Sequence, residues 1–217
     1  MLVAGVDDAG RGPVIGPLVI AGVLFREEQI PELQRLGVKD SKALTPKRRE
    51  VLSQEVKRLA VRWEAIKLSP SEVDRVVLEG KKFRKLNWLE AKTMAEVIRR
   101  LRPEVAYVDA SDINEARFAQ QIRENLPFEL KIVSEHRADA NYTVVGAASI
   151  IAKVHRDEEA ARLRKKYGDF GSGYTSDSKT RLFLSNWIKE QGNVPDFARK
   201  SWKTIKRLTE RKEQKTL

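Results

Sequence analysis

The sequence contains no cysteine and only 2 histidines in 217 residues. The first absence excludes disulfide frameworks, thiolate zinc sites and cysteine nucleophiles. The second leaves little room for histidine-based metal sites or catalytic triads. Long apolar runs are missing too. The longest, near residues 13–25 and 143–152, fall short of a bilayer span, so no membrane partner is expected. The N-terminus, MLVAGVDDAG, has no basic stretch ahead of its apolar residues and reaches two acids by residue 8. It does not read as a signal peptide, and a cytoplasmic, monomeric chain is expected. Hydrophobic residues make up 41% of the sequence and charged residues 34%, enough apolar content to bury one domain.

Positive charge is what the chain has in excess. Lys and Arg number 42 against 31 Asp and Glu, a net charge of +11. From Arg199 to Leu217 there are 8 Lys or Arg and 2 Glu, so more than half of the excess sits in that short segment. A protein this basic meets polyanions, nucleic acid above all. The competing reading is a solvated surface rich in Lys, Arg and Glu, as in thermophiles.

LVAGV at 2–6 reads as a buried strand closed by Asp7 and Asp8. LVIAGVLF at 18–25 is a second strand, and the Gly- and Pro-rich link makes the pair an antiparallel hairpin with an unusual loop. Thr45 and Pro46 start a helix by the N-cap and N1 rule, with Val51, Leu52, Val56 and Leu59 on its buried face. VRWEAIKL at 61–68 is a third strand, with Val61, Trp63 and Ala65 on one side. Ser69-Pro70 opens a short helix, and the basic patch GKKFRK separates it from a longer helix at about 86–101. VAYV at 105–108 is a fourth strand ending at Asp109, and Asp112 with Glu115 forms a capping box for a helix through about 124. FELKIVSE at 128–135 is a fifth strand. Asp139 opens a helix ending at Gly168, Asp177 or Ser178 caps another, and Trp202, Ile205 and Leu208 mark the last. The alternation predicts an α/β fold with a five-stranded mixed sheet flanked by helices. One domain is expected at 1–170, with a helical C-terminal part at 171–217 packed on it.

Asp7 and Asp109 each close a strand, and Asp139 follows a third. Strand ends that lie side by side in an open α/β sheet form a crevice where sites collect. Carboxylates converging there repel one another unless a cation neutralises them. Oxygen ligands without cysteine favour Mg²⁺ or Mn²⁺ over Zn²⁺, and two such ions can activate water and stabilise the leaving oxygen of a phosphodiester. The bland reading makes Asp109 a turn residue and Asp139 an ordinary N-cap. Gly10-Arg11-Gly12 follows the acid pair. Its glycines let backbone approach a ligand closely, and Arg11 adds a forked donor suited to phosphate; alternatively this is a plain hairpin loop. Tyr174, after Gly171-Ser172-Gly173, offers a ring to stack on a sugar or base, or simply packs. His136 is close enough in sequence to Asp139 to support it, His155 is given no role, and Asp157 reads as a surface or supporting residue.

Six ordered blocks resemble one family: GVDDAGRGPVIGP at 5–17, DSKALTPKRR at 40–49, YVDASD at 107–112, HRADANYTVVGAASIIAKVHRD at 136–157, GSGYTSD at 171–177 and RKSWKT at 199–204. The chain is similar over nearly its whole length to ribonuclease HII of the archaeal type. The resemblance implies a ribonuclease H-like fold, hydrolysis of the RNA strand of RNA/DNA hybrids and cleavage at single ribonucleotides embedded in DNA. It carries the family's metal-binding and catalytic acids onto Asp7, Asp8, Asp109 and Asp139. It carries the reading of the 2′-hydroxyl onto Gly10, Arg11, Gly12 and Tyr174, and places Lys42 and Ser149 near substrate phosphates. The expected reaction is a two-metal hydrolysis leaving 3′-hydroxyl and 5′-phosphate ends.

The chain departs from the family at Asp8, where glutamate is usual, and at Thr143 and Thr175, where proline is usual. Neighbouring strand residues point to opposite faces, so Asp7 and Asp8 share a metal pair only if the chain bends or the second side chain reaches around. Two rival readings stay open: a nucleic-acid-binding protein whose catalysis is weakened or lost through Asp8, and a basic structural protein without a site. Gln214-Lys215-Thr216-Leu217 resembles the first half of a sliding-clamp-binding box, although the aromatic half is missing and a frayed basic tail is the plain alternative.

Overall fold

The computed structural model describes residues 1–38, 44–79 and 85–213. Its elements follow the chain as β1 (Leu2–Ala9), β2 (Leu18–Arg26), a 3₁₀ turn (Glu27–Gln29), α1 (Ile30–Arg35), α2 (Pro46–Leu59), β3 (Arg62–Leu68), α3 (Pro70–Glu79), α4 (Leu86–Leu101), β4 (Val105–Asp109), α5 (Glu115–Arg123), β5 (Lys131–Glu135), α6 (Ala138–Asn141), α7 (Thr143–Tyr167), α8 (Ser178–Gln191) and α9 (Lys203–Glu213). The strands form one sheet in the order β3-β2-β1-β4-β5. β1 pairs antiparallel with β2, and β2 with β3, whereas β1–β4 and β4–β5 are parallel. The mixed sheet expected from the adjoining first strands is present, with helices on both faces.

β1 sorts its side chains by alternation. Ala4 and Val6 join Leu18, Ile20 and Leu24 of β2 in a core closed by α3, α4 and α5. Val3 and Ala9 face the other way, with Val19, Ala21, Val23 and Phe25, against α1, α2 and α7. β2 is buried on both faces from Leu18 to Phe25, which is why it reads as an unbroken apolar run. The first half of α7, Thr143 to Ala152, is buried all round for a similar reason: it lies on β1 and β2 and is itself covered. A third core joins the chain end to the rest, with Phe170, Leu184, Phe197 and Ile205 packing on Val14 and Ile15 of the β1–β2 loop.

Several expected features differ in detail. The cap of α5 is Asn114, whose side chain accepts from the Arg117 amide at 2.8 Å. Asp112 instead binds Arg117 and Asn87 side chains, so two polar residues competed for one role and the nearer won. Asp139 does not open the long helix. It lies in the one-turn α6, which ends at an extended Tyr142 before α7 begins. β5 begins at Lys131, not at residue 128. Val51, placed on the buried face of α2, is 45% exposed; Val61, read as the start of the third strand, lies exposed just before edge strand β3 begins at Arg62, and Trp63 is exposed within it. α1 had no clear helical spacing and went unread. Thr45 caps α2 as expected, accepting from the Arg48 amide at 3.3 Å.

Gly5 sets the distance between α7 and the sheet. A Cβ on Gly5 would lie 2.1 Å from the Val144 carbonyl oxygen, and helix backbone cannot step aside without disturbing both cores. Gly5→Ala should cost at least about 2 kcal/mol through overpacking. In thermal denaturation followed by circular dichroism, that corresponds to a midpoint lowered by about 4–8 °C.

Candidate active site

The parallel pairing of β1 and β4 brings two acidic strand ends together. Val6 registers with Val108, so Asp7 and Asp8 run past the same sheet end at which Asp109 closes β4. β1 does not bend there. Asp7 stays paired with Ala21 and Asp8 with Ile20, and the ladder continues to Ala9. Asp7 therefore shares the α7 face with Ala21, and Asp8 the α4 face with Ile20.

Each carboxylate has its own support. Asp7 is buried, and the Asp8 amide donates to its Oδ1 at 2.7 Å. Ser149, on α7, also hydrogen-bonds Asp7, and Lys153 one turn later donates to Ser149 Oγ at 2.8 Å. Ser149 is fully buried, so it meets the site through Asp7 and does not stand open to a phosphate. Asp8 accepts from Ser111 Oγ at 3.3 Å. Asp109 Oδ1 accepts from the Ala138 amide at 2.7 Å, which brings the start of α6, and thus the stretch carrying buried Asp139, beside the end of β4.

Crowding shows in the acidities. Burial, then the charges of Asp8 and Asp109, push the Asp7 carboxyl well above its ordinary range. Burial raises Asp8 to about 6, with Asp109 adding to the rise and Arg11, Ser111 and Lys153 opposing it. The acids are adjacent and not interlocked: among the described residues, no group of three or more His, Cys, Asp or Glu side chains is already arranged to hold an ion. The donors fit a hard divalent cation nonetheless. They are carboxylate oxygens, and like charges this close are relieved by a cation between them.

Gly10-Arg11-Gly12 leaves β1 directly after the acids. Gly10 has φ +89°, and a Cβ there would lie 2.5 Å from the Pro17 carbonyl oxygen, so the turn admits glycine alone without strain. A Cβ on Gly12 would lie 3.1 Å from the Tyr174 ring, which places that tyrosine against the loop. Gly173 holds the contact by accepting from the Val14 amide at 2.8 Å. The Arg11 side chain, 38% exposed, is tied to the protein at its guanidinium. It donates to Glu90 Oε2 and the Ser111 carbonyl at 2.9 Å each, and to Asn87 Oδ1 at 2.7 Å.

The protein matches the family model for Ribonuclease HII over residues 4–205. It is 46% identical to a Ribonuclease HII of Pyrococcus abyssi over 213 residues, covering 97% of this chain and 92% of that one. A crystal structure of ribonuclease H2 from Pyrococcus horikoshii OT3 superposes with a TM-score of 0.92 at 42% identity, covering 99% of this chain and 100% of the other. A structure of a PCNA:RNase HII complex from Archaeoglobus fulgidus aligns with a TM-score of 0.84 at 45% identity, covering 95% of this chain and 96% of that one. The chain belongs to the ribonuclease HII family. It is accordingly a ribonuclease H enzyme, and its mixed sheet with flanking helices is the ribonuclease H-like fold.

Within this ribonuclease HII, Glu90, Asn87, Ser111, Lys153, Arg199 and Trp202 belong to the site's surroundings and were not singled out from the sequence. Glu90 had a readable signal. It sits within the apolar stripe of α4, between Leu86, Leu89 and Met94, and a charged residue there is buried with a partner or not at all. Arg199 and Trp202 lie in the RKSWKT block at 199–204, which carries part of the resemblance and, at Trp202, the last helix's apolar stripe, but nothing local in it points to the glycine loop. Lys42 lies outside the described residues. His136 is exposed beside Glu115 and the Ile113 carbonyl, and His155 stacks on Trp63 on β3. Asp157 pairs with Arg49 at 3.1 Å, tying α7 to α2.

The raised pKa of Asp8 has a signed consequence. Between the ordinary carboxyl value of 3.8 and about 6, the folded chain holds a proton that the unfolded chain has released, so stability falls as pH rises through that window. In metal-free buffer at pH 7.5, Asp8→Asn should melt above the wild type by an equivalent of about 2–3 kcal/mol. The gap should close near pH 4, and adding a divalent ion should shrink it at pH 7.5.

Proposed function

We propose that this enzyme hydrolyses the RNA strand of RNA/DNA hybrids and nicks duplex DNA at single embedded ribonucleotides, leaving 3′-hydroxyl and 5′-phosphate ends. One observation carries the reading: the mutually repelling Asp7, Asp8 and Asp109 share a sheet end with a glycine loop seated against Tyr174. Asp7, Asp8, Asp109 and Asp139 would hold two divalent ions, Mg²⁺ or Mn²⁺, which when bound supply Lewis-acid activation of water and of the leaving oxygen.

The protein's own contribution is placement. Ser149 and the Asp8 amide orient Asp7, and the Ala138 amide orients Asp109. Gly10, Arg11 and Gly12 present backbone to the ribose while Tyr174 packs on the sugar, a reading suited to the 2′-hydroxyl that separates RNA from DNA. Lys42, outside the described residues, is assigned to a substrate phosphate in this scheme by the family resemblance alone. Residues 1–170 form the catalytic part, and 171–217 support the substrate-reading loop. Excess positive charge draws in the duplex and makes binding salt-dependent.

A second reading, weakened catalysis with binding retained, is favoured by the straight course of β1 at Asp8. The side chain must reach its ion without help from a bend, and aspartate is shorter than glutamate by about one bond, roughly 1.5 Å. A nicking assay on duplex DNA carrying one ribonucleotide separates the two readings. Chelation should abolish cleavage, and Asp139→Asn should lower it at least about a hundredfold, the scale of losing one charge-stabilising group. Mn²⁺ should support faster cutting than Mg²⁺, which demands near-ideal octahedral geometry, and Asp8→Glu should raise the Mg²⁺ rate. An unchanged rate in Asp8→Glu would refute the side-chain-length argument, and full activity in excess chelator would refute the metal.

The tail Gln214–Leu217, outside the described residues, is proposed to engage a sliding clamp. The Archaeoglobus fulgidus relative in complex with PCNA supports this, as does the spacing of Gln214 and Leu217. Titration with the cognate clamp should show binding that is lost when the tail is removed; equal binding without the tail would exclude it.

A further inference from the structure

Two residues outside the acidic cluster grip the glycine loop from behind. Arg199 is fully buried and donates to the carbonyls of Gly10 at 2.5 Å, Arg11 at 2.8 Å and Gly16 at 3.2 Å. The Trp202 ring lies 4.8 Å from the same guanidinium, and its Nε1 donates to the Gly12 carbonyl at 3.1 Å. The consecutive carbonyls of Gly10, Arg11 and Gly12 are thus all held by the C-terminal segment. That segment is pinned in turn by Asp74 of α3, which accepts from the Lys200 amide at 2.7 Å, the Ser201 amide at 2.9 Å and Ser201 Oγ at 2.6 Å.

Peptide planarity converts this grip into a direction. In a trans peptide, the N–H of one residue points opposite to the carbonyl of the residue before it, and no cis bond occurs among the described residues. Holding the Gly10 and Arg11 carbonyls inward therefore turns the amides of Arg11 and Gly12 away from Arg199. The Arg11 side chain is fixed separately by Glu90, which is fully buried and carries the charges of both Arg11 and Arg199 beside it.

We propose that Arg199 and Glu90 are positioning residues for the recognition of a lone ribonucleotide. Arg199 aims the Arg11 and Gly12 amides at the ribose 2′-hydroxyl. Glu90 ties the Arg11 side chain to the protein, so that the loop reads by backbone. The inference rests on the reading of the loop given above. A continuous RNA strand offers a 2′-hydroxyl at every register, whereas a lone ribonucleotide offers one, so a displaced loop harms the second substrate more.

The test compares kcat/KM on a duplex with one embedded ribonucleotide against kcat/KM on an RNA/DNA hybrid for wild type, Arg199→Met, Arg199→Lys and Glu90→Gln. Thermal melts report folding, and Val56→Ala, in α2, serves as a destabilised control. The ratio should fall about tenfold in the variants, the scale of a lost buried hydrogen bond, and stay unchanged in Val56→Ala. Lysine cannot replace the fork that spans several carbonyls, so Arg199→Lys should not restore the ratio. Should Arg199→Met fail to fold, Arg199→Lys and Glu90→Gln decide. Wild-type ratios in both of these would overturn the inference alone, as would full rescue by lysine, which would mark a role of charge only. A wild-type enzyme that leaves the lone ribonucleotide intact would overturn the loop reading and this inference with it.

Discussion

Carboxylates packed at the ends of two parallel strands are the constraint around which this end of the molecule is organised. Asp7 and Asp109 arrive together because β1 and β4 are neighbours in register, and Asp8 follows because it is the next residue. Their repulsion opposes folding unless positive or donor groups surround them. The chain supplies these from four directions: Ser149 and Lys153 on α7, Ser111 after β4, Arg11 on the glycine loop and the Ala138 amide opening α6. Such a site is soft in pH and strongly coupled to whatever cation enters it.

The glycine loop is rigid for a different reason. A loop with two glycines in three residues has little stiffness of its own. Here the C-terminal segment lends it that stiffness through Arg199 and Trp202, and the Tyr174 loop grips it from the other side through Gly173. Burying Arg199 pulls its pKa down to about 10, with burial the larger effect and Asp74 and Glu90 opposing it. The guanidinium thus stays charged at neutral pH. A buried charge of this kind is tolerated because carbonyls and carboxylates satisfy its donors, and removing a partner would leave it uncompensated.

Much of the architecture was readable along the chain. The periodicity of α4 marked its limits at about 86–101, two apolar runs joined by a short Gly- and Pro-rich link predicted the β1–β2 hairpin, and Thr45-Pro46 marked the start of α2. Reading failed where several residues could do one job or where short elements carried little pattern. Asp112 and Asn114 were both credible caps for α5. The single turn of α6 is too brief for periodicity to register, so Asp139 was assigned to the longer helix beyond it. Val51 matched the apolar spacing of α2 but lies just beyond the stripe that α7 covers.

Composition, motif order and spacing determined the family, the mixed sheet and the acids to watch, because those properties are local in the chain and repeat from one member to another. Only the tertiary structure decided that Asp7 and Asp8 face opposite sides of an unbent strand, that Ser149 serves Asp7 from beneath, and that Arg11 pairs with buried Glu90. It alone decided that Arg199, 189 residues beyond Gly10, holds the loop. The physical reason is common to all of these. A hydrogen bond between distant residues leaves no periodic trace in either segment, and the direction of a side chain follows from strand register and helix packing that exist only after the chain has closed.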